Sequence, residues 1–223
     1  MLNNYSIIIP IYNELEQIPQ LLNNLKSYFK EGHELIIVDD GSNDGSDKIL
    51  LKCDYIKLFR IEENKGKGAA IKIGLMNAIN EMVVIFDGDL ELHPKYIKKL
   101  MILNSSKNIN CALANRLEIN KIDSIWNIGN IILTRLFNFL NKSDVKDALC
   151  CAKSFLKSDI NIKNIKSQKF DIDVELCTKL VKIYSNIENI DIKYQRRTVT
   201  QGKKLKFRDS YLIIKRILDL YIY

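Results

Sequence analysis

Asp87-Gly88-Asp89-Leu90-Glu91 places three carboxylates within five residues, directly after the apolar run Val83–Phe86. A buried strand ending in Asp-x-Asp can aim several carboxylate oxygens at one point beyond its tip. Such a cluster is costly without a cation, and Mg²⁺ or Mn²⁺ suits hard oxygen donors while keeping positions open for substrate phosphates. The simpler alternative is a polar turn closing a strand. A second acidic strand end, Asp39-Asp40-Gly41-Ser42, follows Leu35–Val38, and a third polar cluster, Pro10–Glu14, follows Tyr5–Ile9.

The elements that must carry these clusters alternate. Strands are expected at Tyr5–Ile9, Glu34–Val38, Ile56–Arg60 and Met82–Phe86, separated by helical spacing over Glu14–Phe29 and from Gly66 to Asn80. Pro19 argues that the first helix starts near Ile18. This order predicts an α/β chain built on a doubly wound, mostly parallel sheet, whose ligands bind at the carboxyl ends of the strands. The three polar clusters all fall at that edge. In the second half, helices are expected at Lys95–Leu103, Ile125–Leu140 and Val174–Tyr184, and strands at Cys111–Asn115 and Ile187–Tyr194. Asp147–Phe155 has no clear period, and Arg196–Arg208 reads as a basic loop before an amphipathic helix, Ser210–Tyr223.

The 223 residues fit one sizeable domain, and 47% apolar content supports a full core. A net charge of +7 favours anionic partners: nucleotide or lipid phosphates, an anionic membrane or nucleic acid. No nucleic-acid motif accompanies it. Five cysteines without a Cys-x-x-Cys pair read as reduced residues of a cytoplasmic protein, and two histidines make a histidine zinc site improbable. Neither a signal-peptide pattern nor an apolar run of about 18 residues is present, so no transmembrane helix is expected.

Four ordered motifs, Ile7–Glu14, Ile36–Ser46, Asn64–Ala70 and Asp87–Glu91, resemble the nucleotide-sugar half of family 2 glycosyltransferases with the GT-A fold. The remainder is similar to the polyprenyl-phosphate (dolichyl or undecaprenyl) hexose synthases. That likeness is carried by Ala114-Asn115-Arg116, Gly129-Asn130, Asp147–Cys150, Phe170–Leu176 and Tyr194–Arg197 followed by Gln201–Leu205. The resemblance implies a single GT-A domain: 1–95 as the nucleotide-sugar half, 96–208 as the acceptor half and 209–223 as an amphipathic tail helix. It implies Pro10, Tyr12, Asn13, Glu14, Asp39, Lys67 and Asp87 as donor-binding residues, and Asp87, Asp89 and Glu91 as ligands of Mg²⁺ or Mn²⁺. Lys67 could instead be a solvated lysine and Glu14 a helix-dipole partner.

The implied reaction is inverting transfer of a hexose from a UDP- or GDP-sugar to a polyprenyl phosphate, a nucleophile that needs no general base. A saccharide acceptor of a cell-surface polysaccharide or glycolipid is the alternative. It would need a carboxylate base, for which Asp147 stands as candidate, or as a loop stabiliser. Asp89 and Asp147 are thus the catalytic candidates. Arg116, Arg135, Arg197, Lys203 and Lys204 are the acceptor-phosphate candidates, because cationic forks suit phosphate oxygens. Asp173 and Glu175 form an acidic pair at a helix start. A polyprenyl acceptor implies peripheral contact with the cytoplasmic face of a membrane, through the apolar surfaces of Ile125–Leu140 and Ser210–Tyr223.

Overall fold

The computed structural model describes residues 4–117, 125–198, 202–204 and 207–222. Gln201 and Leu205 of the basic motif, and Tyr223 of the tail, lie outside the described residues.

Seven strands form one sheet: β1 (Tyr5–Ile11), β2 (Glu34–Asp39), β3 (Lys57–Arg60), β4 (Met82–Ile85), β5 (Cys111–Arg116), β6 (Lys153–Leu156) and β7 (Glu188–Ile192), in the order β3-β2-β1-β4-β6-β5-β7. β1 pairs in parallel with β2 and β4, and β2 with β3. β6 runs antiparallel between β4 and β5, and β7 pairs in parallel with β5. The sheet is mostly parallel, as the alternation of elements predicts.

The central strands read as continuous apolar runs because both faces are covered. Ile8, Ile36 and Val38 face one core with helices α3 (Lys67–Asn77), α5 (Ile125–Asn141), α6 (Ile172–Ile183) and α7 (Phe207–Ile222). Ile7, Ile9, Leu35 and Ile37 face the other, with α1 (Ile18–Lys30) and the short α4 (Ile97–Leu100). The short α2 (Ser46–Leu50) follows β2. Strand alternation splits one apolar run between two layers of helices.

Three elements differ from the pattern-based reading. The helix expected over Lys95–Leu103 shortens to a 3₁₀ turn, Pro94–Tyr96, and α4, because the Leu103 N–H leaves the helix to donate to the Tyr5 hydroxyl at 2.9 Å. Asp147–Phe155 resolves as a loop entering β6. The tail helix starts earlier than expected, at Phe207, and it is not wholly a surface element: Ile213 and Ile217 are buried in the core shared with α5 and α6.

Candidate active site

A cavity of about 690 Å³ opens at the carboxyl ends of β1, β2 and β4. β1 delivers Pro10, Ile11, Tyr12 and Glu14 to its wall, β4 delivers Asp87 to Glu91, and α6 delivers Asp173. The acidic loop lies flat against β1. A Cβ on Gly88 would stand 2.5 Å from Ile11 Cγ2 and 3.0 Å from Ile9 Cγ2, so only glycine fits between the two aspartates. Leu90 adopts φ 59°, a conformation that non-glycine residues rarely take, and Asp89 Oδ1 accepts the Glu91 N–H at 3.1 Å across this bend.

Lys67, on the first turn of α3, lies between Asp87 at 3.0 Å and Asp173 at 2.9 Å. Burial alone would lower the Lys67 pKa, but Asp173 and Asp87 hold it well above the ordinary lysine value. Burial opposes ionisation of Asp87 as well, yet the charge of Lys67, aided by the Cys151 thiol, keeps its pKa below the usual carboxylate value. The loop before α3 is pinned from two sides. The Lys65 and Gly66 amides donate to the Asp40 carboxylate at 2.8 and 2.7 Å. Gly66, at φ 101°, sits so close to segment 167–169 that a Cβ would meet Gln168 O at 2.5 Å.

Asp89 differs from Asp87. Burial, then the neighbouring charges of Asp87 and Glu91, push its pKa up to about 7, against the pull of Arg197 and Lys203. The carboxylates of Asp87 and Asp89 both line the cavity, and hard oxygen donors of this kind fit a divalent cation of the Mg²⁺ or Mn²⁺ type. Among the described residues no three His, Cys, Asp or Glu side chains form a closed metal cage. Asp87 and Asp89 together with substrate oxygens is a set such an ion accepts.

Residues 194–198 and 202–204 of the basic segment close over these acids. Arg197 donates two hydrogen bonds to Glu14, at 2.7 and 2.9 Å, and lies 3.4 Å from Asp89. Lys204 pairs with Glu14, and Lys203 with Glu91. Arg116, at the end of β5, grips Asp147 through Nε at 2.6 Å and Nη2 at 2.9 Å, with Asn130 alongside. Burial opposes this charge pair, but each partner stabilises the other: Asp147 is held below the carboxylate range and Arg116 well above its ordinary value. Asp147 therefore presents its carboxylate to Arg116 and not to the cavity.

The remaining candidates separate by position. Asp39 is fully buried and does not line the cavity; Oδ1 accepts the Ser42 N–H at 3.0 Å, while Oδ2 faces Arg60 Nε at 3.6 Å. Asn13 fastens the neighbouring loop, its Oδ1 accepting the Asn43 N–H at 2.9 Å. Glu175 turns away from the cavity and accepts the Lys166 and Ser167 amides, the latter at 2.7 Å. Arg135 is exposed on α5 and does not line the cavity.

Three contributors carry no role in the sequence reading. Cys151 lines the cavity and bonds Asp87; burial and the Asp87 charge raise its own pKa well above the thiol value. Tyr194 has the Arg116 guanidinium 5.2 Å from its ring centre, and its hydroxyl accepts the Lys203 ammonium at 3.1 Å. Lys153 is a lysine inside the sheet, its Nζ 3.9 Å from Asp173 Oδ1, an atom with no hydrogen-bond partner.

The mostly parallel sheet, with a cavity at its carboxyl edge and an acidic loop after β4, defines the GT-A glycosyltransferase class. The sequence profile "Glycosyl transferase family 2" matches residues 6–161, so the chain belongs to glycosyl transferase family 2. It is 36% identical over 108 residues to the undecaprenyl-phosphate 4-deoxy-4-formamido-L-arabinose transferase of Proteus mirabilis, covering 45% of this chain and 33% of that protein. It is 26% identical to the UDP-N-acetylglucosamine–dolichyl-phosphate N-acetylglucosaminyltransferase of Methanococcus voltae, across 96% of this chain and 97% of that one. The crystal structure of glucosyl-3-phosphoglycerate synthase from Mycobacterium tuberculosis with Mn²⁺ and UDP superposes with a TM-score of 0.76. It shares 16% identity and covers 98% of this chain and 80% of that one, a likeness of fold.

Proposed function

We propose that this glycosyltransferase moves a hexose from a UDP- or GDP-sugar to a polyprenyl phosphate, with inversion, and that Asp87 and Asp89 hold the Mg²⁺ or Mn²⁺ that accompanies the diphosphate. One observation carries the reading. A single cavity presents the carboxylates of Asp87 and Asp89 beside the cations Arg116, Arg197, Lys203 and Lys204. The acidic side suits a metal-bound diphosphate, and the basic side suits a second phosphate on the acceptor. The relative that aligns over nearly its whole length is named as a dolichyl-phosphate enzyme, which supports the same acceptor class.

The bound ion would supply Lewis-acid relief of charge on the departing nucleoside diphosphate. The chain's own residues do the rest. Pro10, Tyr12 and Glu14 shape the donor wall, whereas Asp39 lies fully buried behind it, with Arg60 Nε 3.6 Å from its Oδ2. Lys67, held by Asp173, sets the position of Asp87 and offers its ammonium to the donor. Arg116, held by Asp147, receives the acceptor phosphate in a fixed orientation. That phosphate is already an anionic nucleophile, so Asp147 serves as the anchor of Arg116 and no base is needed.

Residues 1–95 and 96–208 act as donor and acceptor halves of one domain. The apolar face of α5, with Ile125 66% and Phe139 81% exposed, joins Tyr211, Tyr221 and Ile222 of α7 as a surface for peripheral docking on the cytoplasmic face of a membrane. No described helix is long and apolar enough to cross a membrane.

A thermal-shift panel of UDP-, GDP- and CDP-sugars with Mn²⁺ tests the pocket, since a shift requires binding to the folded form. Incubation of the responding radiolabelled sugar with a polyprenyl phosphate should then place product in the organic phase. Product confined to the aqueous phase would overturn the lipid acceptor.

A further inference from the structure

We infer that Glu91 is not a ligand of the divalent ion but a positioning residue that latches residues 194–197 and Lys203 onto the acidic loop and so ties acceptor cations to the donor site. This rests on the metal reading of Asp87 and Asp89 given above. Glu91 is 6% exposed and its oxygens are already engaged. Oε1 accepts the Arg197 N–H at 2.8 Å; Oε2 accepts the Tyr194 hydroxyl at 2.8 Å and the Lys203 ammonium. Its backbone carbonyl accepts the Gln195 N–H at 2.9 Å, and Leu92 bridges Tyr194 as a short antiparallel pair. A carboxylate offers about four lone-pair sites, and three of these are filled, one of them by a cation. A divalent ion on Glu91 would have to expel the Lys203 ammonium or sit against it, at a large cost in like-charge repulsion.

The latch reaches further than the loop. Tyr194, held by Glu91, has the Arg116 guanidinium near its ring on one contact and Lys203 on another. Arg197, whose amide is held by Glu91, carries the side chain that bridges Glu14 and Asp89. One carboxylate therefore organises Tyr194, Arg197 and Lys203 at once. Asp87 and Asp89 also have cationic neighbours, Lys67 and Arg197, but their side chains stay 28% and 23% exposed, against 6% for Glu91.

The test uses the full chain and two soluble probes. Mn²⁺ with UDP, or with GDP if UDP does not bind, reports the donor site, and geranyl phosphate reports the acceptor cations. Calorimetry on Glu91→Ala should leave the Mn²⁺–nucleotide Kd within about threefold, while the geranyl phosphate Kd rises about tenfold and the Gln195 and Arg197 amides exchange hydrogen at least about tenfold faster. Lys203→Met should reproduce the faster exchange without touching the acid, which keeps the test decisive if Glu91→Ala folds poorly. A Mn²⁺–nucleotide affinity lowered tenfold or more by Glu91→Ala, with exchange unchanged in both variants, would overturn the latch. If the unaltered protein binds no Mn²⁺–nucleotide, the metal reading fails instead, and amide exchange alone still decides the latch.

Discussion

Arg116 lies in a two-point grip on Asp147, Nε to Oδ2 at 2.6 Å and Nη2 to Oδ1 at 2.9 Å, with the Asp147 side chain 1% exposed. β5 brings the arginine and the loop before β6 brings the aspartate, 31 residues later in the chain. Breaking a buried pair leaves a charge without its partner.

Asp147→Asn should therefore cost about 3–5 kcal/mol of stability at pH 7, measured by denaturant unfolding. The folded-state pKa of Asp147 is lowered, so its contribution is present above the unfolded value and is lost as pH falls through the folded one. The unaltered protein should lose stability below about pH 4 more steeply than Asp147→Asn does. Parallel curves would remove the ion pair as a source of stability.

Asp89→Ala and Asp87→Ala should each abolish the Mn²⁺-dependent part of the nucleotide thermal shift and lower turnover by about a hundredfold or more. A chelator should have the same effect on the unaltered protein, reversed by added Mn²⁺. Full turnover in either variant would contradict the metal role of these carboxylates.

Gly88→Ala forces a Cβ to within 2.5 Å of Ile11 on the central strand. Crowding of this kind costs about 1–3 kcal/mol, and the shift needed to relieve it also moves Asp87 and Asp89. The variant should melt earlier and bind Mn²⁺–nucleotide more weakly. An unchanged melting temperature would mean that the loop is not pressed onto β1.

Phe139→Asp and Ile132→Asp alter exposed positions of α5, so their effect on folding stability should stay within about 0.5 kcal/mol. Co-sedimentation with phosphatidylglycerol vesicles should fall about tenfold, the effect of withdrawing one large apolar side chain from an interface. Nucleotide binding should not change. Equal pelleting of both variants and the parent would move the docking surface elsewhere.

Segments whose structure depends on neighbours in sequence were legible in the chain itself. Continuous apolar runs located the central strands, period-3.6 patterns located most helices, and the family motifs identified the class. The start of α1 at Ile18 follows from Pro19, whose missing N–H is harmless only in a first turn. Boundaries set by distant contacts were not legible: α4 stops early because Tyr5, far back in the chain, captures the Leu103 amide.

The same division runs through the site. Sequence alone determined that carboxylates would gather at strand ends β1, β2 and β4, because a parallel sheet delivers every such end to one edge. It also marked a basic tail segment. Only the tertiary structure decided which acid meets which base. Arg197 reaches Glu14 across 183 residues and Lys204 meets Asn13 O across 191. Glu91 turns to Tyr194 and Lys203, while Asp147 is spent on Arg116. Charge pairing is short-ranged in a solvated protein, so a partner is chosen by which side chains packing leaves within a few ångströms. Spacing along the chain carries no record of that choice.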